Sequence, residues 1–134
     1  MTIGILLITH PGIGTALLAN TSAMLERCPL PIRCIEVPPR PDLEALERQA
    51  HEDARAIDDG DGVLILTDAY GSTPSNLAQR IAGSRPAKVV SGVNLPMLIR
   101  VFNYCGDTLD DLAQKAYEGG VRGIHLTHGE GSAP

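Results

Sequence analysis

The chain has 134 residues, 43% of them hydrophobic, with no Trp, one Phe and a formal charge of −5. That length suits one domain with an aliphatic core, burying roughly two-thirds of the surface an unfolded chain exposes. Without a cluster of Lys and Arg, the acidic balance excludes a nucleic-acid binder, although backbone N–H groups can still hold an anion.

The opening apolar run, residues 3–8, is too short for a signal segment and follows no basic region. No stretch approaches the ~20 apolar residues of a spanning helix. A cytoplasmic protein with no direct membrane insertion is expected. Cys28, Cys34 and Cys105 form no C-x-x-C pair and have no His at ligand spacing, a pattern that reads as three reduced thiols.

Four short apolar runs, residues 3–9, 32–37, 62–67 and 87–91, alternate with helical patterns, the signature of a parallel βαβ sheet. GVLILT and AKVVS are apolar on both faces, as strands covered on two sides should be. In the first connection Ile13, Leu17, Thr21, Met24, Leu25 and Cys28 recur at helical spacing, which predicts one helix over 13–28, ended by Pro29 and Pro31. Asp42 is placed to cap a second helix with Leu43, Leu46, Ala50, Ala54 and Ile57 as its buried stripe. Thr73-Pro74 starts a third, and Asn94 a fourth running to about Asn103. Asp107 or Thr108 opens a fifth, with Leu109, Leu112, Ala116 and Tyr117 on one side and Gly119-Gly120 closing it. Residues 121–126 read as a final short strand, and 127–134 as a loose tail, so that 1–126 form the domain.

In an open parallel sheet, ligands bind outside the carboxyl ends of the strands, where strand order reverses. The first, third and fourth strands end in HPGIG, TDAYGSTPSN and SGVNLP. With strand order 2-1-3-4, His10 and Asp68 face each other across that crevice. A carboxylate beside an imidazole fixes its tautomer and frees the other ring nitrogen. Gly71, Ser72 and Thr73 lead into a helix, whose N–H groups and hydroxyls suit an anion. Nucleophile, orienting carboxylate and anion cradle together describe phosphoryl transfer through phosphohistidine. Thr9, Ser91 and Asn94 are supporting candidates. The plainer alternatives stay open: a strand-end His can be satisfied by a loop carbonyl, and residues 91–94 can be only a strand-to-helix turn. His51 reads as solvated, and His125 with His128 lacks a ligand pattern, so no metal is expected. HPGIG is no dinucleotide fingerprint, since the third glycine is missing.

MTIGILLITHPGIGTALL, VLILTDAYGSTPSNLAQRIA and SGVNLPMLI resemble, in order and separation, segments of mannose-type enzyme IIA domains of the bacterial sugar phosphotransferase system. The resemblance runs from residue 1 to about 124. It implies that His10 is phosphorylated, that Asp68 bonds its ring, and that Ser72, Thr73 and nearby amides hold the phosphoryl oxygens. It further implies an HPr-like donor, an enzyme IIB-like acceptor and a homodimer that exchanges its last strand, here residues 121–126. Two features depart from the family pattern. Ser72 stands where a second loop glycine is common, and Pro11 removes a backbone N–H beside His10.

The expected protein is thus a three-layer, doubly wound α/β phosphocarrier, with sheet order 2-1-3-4 plus an antiparallel exchanged strand, and without a metal or organic cofactor. Its phosphorylation state could serve a regulatory target instead of sugar uptake. The rival of another class is a non-catalytic small-ligand or nucleotide-binding module using the same crevice. A hydrolase is weaker, because G-x-S-x-G is absent.

Overall fold

The computed structural model describes residues 2–130. Strands β1 (Gly4–Thr9), β2 (Ile32–Glu36), β3 (Val63–Thr67) and β4 (Ala87–Ser91) form a parallel sheet in the order β2-β1-β3-β4. The helices are α1 (Ile13–Asn20), α2 (Ser22–Arg27), α3 (Leu43–Ile57), α4 (Thr73–Ala82), α5 (Leu95–Asn103) and α6 (Leu109–Arg122). The expected α/β class and strand order are both present.

Alternate residues of the central strands feed two separate cores, as the two-residue period of a strand requires. Ile5, Leu7, Leu64 and Leu66 pack with α5 and α6 through Met97, Leu98, Val101, Phe102 and Leu112, and Leu17 and Met24 of α1 and α2 join them. Leu6, Ile8, Val63 and Ile65 face the other way, onto Ala50, Ala54 and Ile57 of α3 and Leu77 and Ile81 of α4. The sheet is therefore the middle of three layers. Each fully buried aliphatic side chain contributes about 1.5–3 kcal/mol relative to exposure. β4, an edge strand, is only half-buried, yet helices cover both its faces, Val90 joining the α5–α6 core and Ala87 and Val89 the α3–α4 core.

Several sequence expectations need correction. The first helix is two, because buried Thr21 turns its hydroxyl to the carbonyls of Leu17 and Leu18, both at 3.2 Å, and breaks the helical run. Leu43 begins the helix that Asp42 caps through the Ala45 N–H at 3.1 Å, but is 52% exposed and lies off the buried stripe. Tyr117 is likewise exposed on α6. Gly119 and Gly120 do not end α6; they let it lie against α5. A Cβ would come within 2.7 Å of Arg100 Cβ at Gly119, and within 2.9 Å of Met97 Cε at Gly120. The helix continues to Arg122, and residues 124–129 carry neither helix nor strand. The expected strand over 121–126 is thus absent from the chain by itself. Of the tail expected over 127–134, residues 131–134 lie outside the described residues. No helix among the described residues is long and apolar enough to cross a membrane.

The three cysteines are not all thiols. Cys28 after α2 and Cys105 after α5 are joined by a disulfide, their Cα atoms 5.9 Å apart across 77 residues of sequence. α2 packs on α5, and this tertiary contact, invisible in the spacing, brings the pair within bridging distance. Cys34 is free. Alkylation in denaturant without reductant should therefore label Cys34 alone, and labelling of all three would refute the bridge. Reduction should lower the unfolding free energy by about 2–4 kcal/mol in urea titrations.

Candidate functional site

The register of β1 against β3 builds the site. Ile8 pairs with Thr67, so His10 and Asp68 emerge side by side beyond the last ladder partners. Asp68 Oδ2 accepts two hydrogen bonds, from the His10 backbone N–H at 2.9 Å and from its Nδ1 at 2.8 Å. A carboxylate can only accept, so Nδ1 carries the proton and Nε2 is left with a free lone pair. The Asp68 side chain is 9% exposed and the His10 ring 47% exposed. The anchor is buried and the reactive edge open. Burial by itself would raise the Asp68 carboxyl. The hydrogen bonds from the His10 backbone and ring, with the charge of that ring, outweigh it and hold the group below the ordinary carboxylate range. Asp68 Oδ1 is buried with no hydrogen-bond partner among the described residues.

Thr9, fully buried, fixes the chain on either side of His10. Its hydroxyl donates to the His10 carbonyl at 2.8 Å and accepts from the Gly14 N–H at 3.0 Å. His10, Pro11, Gly12 and Ile13 form a tight turn closed by Ile13 N–H to His10 O at 3.3 Å, with Gly12 at φ 82°, ψ −16°. Pro at the second place and a left-handed Gly at the third are what a type II turn demands. The phosphoryl-binding candidates follow Asp68 in a matching turn, Ala69 to Ser72, with Gly71 at φ 82° and Ser72 N–H to Ala69 O at 3.3 Å. Ser72 has φ −81°, ψ 173°, an extended conformation open to any residue, so the family's second glycine is not needed here. Its hydroxyl donates to Ala69 O at 2.6 Å and must swing away to serve a ligand. Thr73 is exposed as the first residue of α4. The N–H groups of Thr73 and Ser75 donate to no other described residue. Ser75 is buried, so the exposed positive end of α4 lies at Thr73.

The supporting candidates divide. Ser91 accepts from Thr67 Oγ1 at 3.0 Å, and Asn94 is consumed in capping, accepting from the Met97 N–H at 2.9 Å and donating to Gly120 O at 3.2 Å. Both hold the β4–α5 connection together. His51 lies on α3 beside Glu47 at 3.9 Å, away from the strand ends. Sequence reasoning missed Glu36, the last residue of β2, whose Oε2 accepts from the Thr15 N–H at 3.1 Å. The available signal was a carboxylate as the last residue of a strand, at the same sheet edge as His10.

The depressed Asp68 carboxyl has a consequence for stability. Its contribution is complete above the unfolded value of about 3.9 and is lost as pH falls through the lower folded value. Solvent at the half-exposed His10 ring holds the contribution to about 1 kcal/mol. Asp68→Asn should thus be less stable than wild type by about that amount near pH 6, with the gap closing near pH 2. Urea unfolding at both values checks this, and an equal gap at both would refute it.

Comparison with known proteins places this chain in a family. The family profile described as PTS system fructose IIA component (EIIA-man) matches residues 4–117. The PTS system mannose-specific EIIAB component of Escherichia coli (strain K12) is 32% identical over 127 residues, 92% of this chain and 39% of that protein. The chain thus spans about two-fifths of the length of the curated relatives it matches. Among solved structures, the mannose/sorbose specific IIA subunit of phosphotransferase system from Enterococcus faecalis superposes with a TM-score of 0.83 at 22% identity, covering 96% of both chains. The phosphotransferase system component EIIA from Streptococcus agalactiae gives 0.79 at 22% identity, covering 92% of this chain and 96% of that one. At that identity these two share the fold with this chain. The profile match carries the assignment further: the chain belongs to the mannose family of phosphotransferase-system enzyme IIA components.

Proposed function

We propose that the chain is a phosphocarrier that takes a phosphoryl group on His10 from an HPr-like donor and hands it to an enzyme IIB-like acceptor. The observation that carries this reading is the 2.8 Å contact of His10 Nδ1 with Asp68 Oδ2, which leaves Nε2 free at an exposed edge. In the transfer, the Nε2 lone pair attacks phosphorus in line with the donor's P–N bond. That bond breaks as the new N–P bond forms, and the donor ring leaves as neutral imidazole. The His10 ring takes on positive charge, which Asp68 balances, while Thr73, Ser72 and the open amides of α4 meet the phosphoryl oxygens. Positioning and electrostatics suffice, and no metal or organic cofactor enters. The coupled A and B in the name of the E. coli relative supports a B-type acceptor. Residues 1–126 are the working unit in this reading, acting in the cytoplasm.

Incubation with phosphoenolpyruvate, enzyme I and HPr should add one acid-labile phosphoryl group per chain, read by intact mass. His10→Ala should add none, and Asp68→Ala should accept it on the order of a hundredfold more slowly. No gain with an active cognate donor would overturn the phosphocarrier reading in favour of a ligand-binding module at the same crevice.

We also propose a homodimer in which the segment after α6 pairs with the partner's β4. Three features support it: the open edge of β4, a 540 Å³ groove beside it lined by Val89, Val90 and Tyr117, and Ile124 and Leu126 at 76% and 98% exposure. Light scattering should return twice the 14.2 kDa chain mass, and truncation after Gly123 should return a monomer. A monomeric full chain across concentrations would overturn the dimer.

A further inference from the structure

Four helices begin at the carboxyl edge that carries His10. α3 and α5 are capped by the side chains of Asp42 and Asn94, whereas α1 and α4, which follow His10 and Asp68, have no side-chain cap and differ at their N-termini. α1 starts three residues after His10 and is the nearer in sequence. A helix start offers unpaired N–H groups and partial positive charge, a natural seat for phosphate. At α1 those donors are already used. The Ile13 N–H reaches His10 O at 3.3 Å, Gly14 reaches Thr9 Oγ1 at 3.0 Å, and Ala16 reaches Gly12 O at 3.4 Å. The Thr15 N–H reaches Glu36 Oε2 at 3.1 Å. Three of these partners come from residues 9–12. Glu36 alone arrives from another strand, where its Cα partner in the ladder is Thr9. Hydrogen bonding from the backbone of Thr15, then of Gly12, then from the Thr15 hydroxyl holds its carboxyl below the ordinary range, so it is an anion at neutral pH. At α4 the amides of Thr73 and Ser75 stay unengaged by other described residues.

We propose that Glu36 is a positioning residue whose carboxylate closes the N-terminus of α1 to anions, so that a phosphoryl group on His10 is held from the α4 side alone. This rests on the phosphocarrier reading for the identity of the group, while the closure of α1 is a property of the free chain. Glu36 supplies what an incoming phosphoryl oxygen would supply, an anionic acceptor for the Thr15 N–H, and its charge repels a second anion from the same helix start. One seat then remains, and the orientation of the phosphoryl group about the new N–P bond is set by α4.

The test is backbone-amide shift mapping with inorganic phosphate on wild type, Glu36→Ala and Glu36→Gln. In wild type, shifts should concentrate at residues 71–75, with the Thr15 amide unmoved. In Glu36→Ala the Thr15 amide should shift saturably, and phosphate affinity should rise about two- to fivefold. Glu36→Gln keeps an acceptor for Thr15 without the charge and should fall between. Glu36→Ala with phosphate shifts still confined to residues 71–75 overturns the proposal, as does wild-type α1 responding as strongly as the variant. If the Ala variant does not fold, Glu36→Gln decides, and unchanged phosphate affinity there overturns it. Failure of the parent reading is visible separately, as wild type that never gains a phosphoryl group from an active donor. A variant that phosphorylates normally, with silent α1 amides, removes the role of Glu36 alone.

Discussion

The register between β1 and β3 is the constraint on which the carboxyl edge depends. Ile8 opposite Thr67 is the last ladder pair of these two strands; Asp68 follows Thr67 directly and His10 lies two residues past Ile8. Asp68 Oδ2 then accepts from the His10 main chain and from its ring. A side-chain oxygen thereby extends the ladder one step past its main-chain end and orients the imidazole with the same atom. A slip of one residue would turn every side chain of β1 to the opposite layer. Both layers are apolar, so such a slip is opposed by the close packing of each layer and by loss of the two Asp68–His10 hydrogen bonds.

Both strands leave the sheet through the same kind of turn. Gly12 and Gly71 share φ 82°, and each turn closes with an N–H to the carbonyl three residues back. Any residue with a Cβ would strain at that angle. Pro11 suits its turn by fixing φ in advance, which lowers the entropy lost when the loop around His10 orders. Its missing N–H takes nothing from the site, because the N–H groups at the start of α1 are already committed to Thr9, His10, Gly12 and Glu36. The apparent defect beside His10 is thus a preorganised turn.

Apolar runs and helix caps carried most of the fold in the sequence. Asp42, Asn94 and Thr108 each cap where their side chains and the following helical pattern pointed. His10 opposite Asp68 was legible because strand order places both at one crevice. The misses share a physical cause, namely tertiary contacts that override a local signal. Gly119-Gly120 reads as a helix stop until α5 is laid against it, where only a missing Cβ permits the approach. Thr21 reads as one more turn of helix until its burial sends the hydroxyl to the preceding carbonyls. Cys28 and Cys105 are distant until α2 meets α5. Glu36 acquires its partner only when β2 pairs with β1. Local chemistry names caps and turns well, and it is silent on which element will press against them.

An acidic chain with two carboxylates at the edge of the proposed phosphoryl site is poorly suited to hold phosphate tightly. Asp68 is anchored to His10, and Glu36 occupies the start of α1. Against both stands the open end of α4, worth roughly half a positive charge. A binding protein for phosphate would gather several donors and cations around the anion, as affinity requires. A carrier needs the opposite balance: enough donors to steady the group in transit, and enough nearby negative charge that it leaves readily for the next imidazole or thiol. The unequal helix starts meet that need. If His10 carries a phosphoryl group as proposed, the carboxylate at α1 belongs with the imidazole at β1 as part of what makes that group easy to give away.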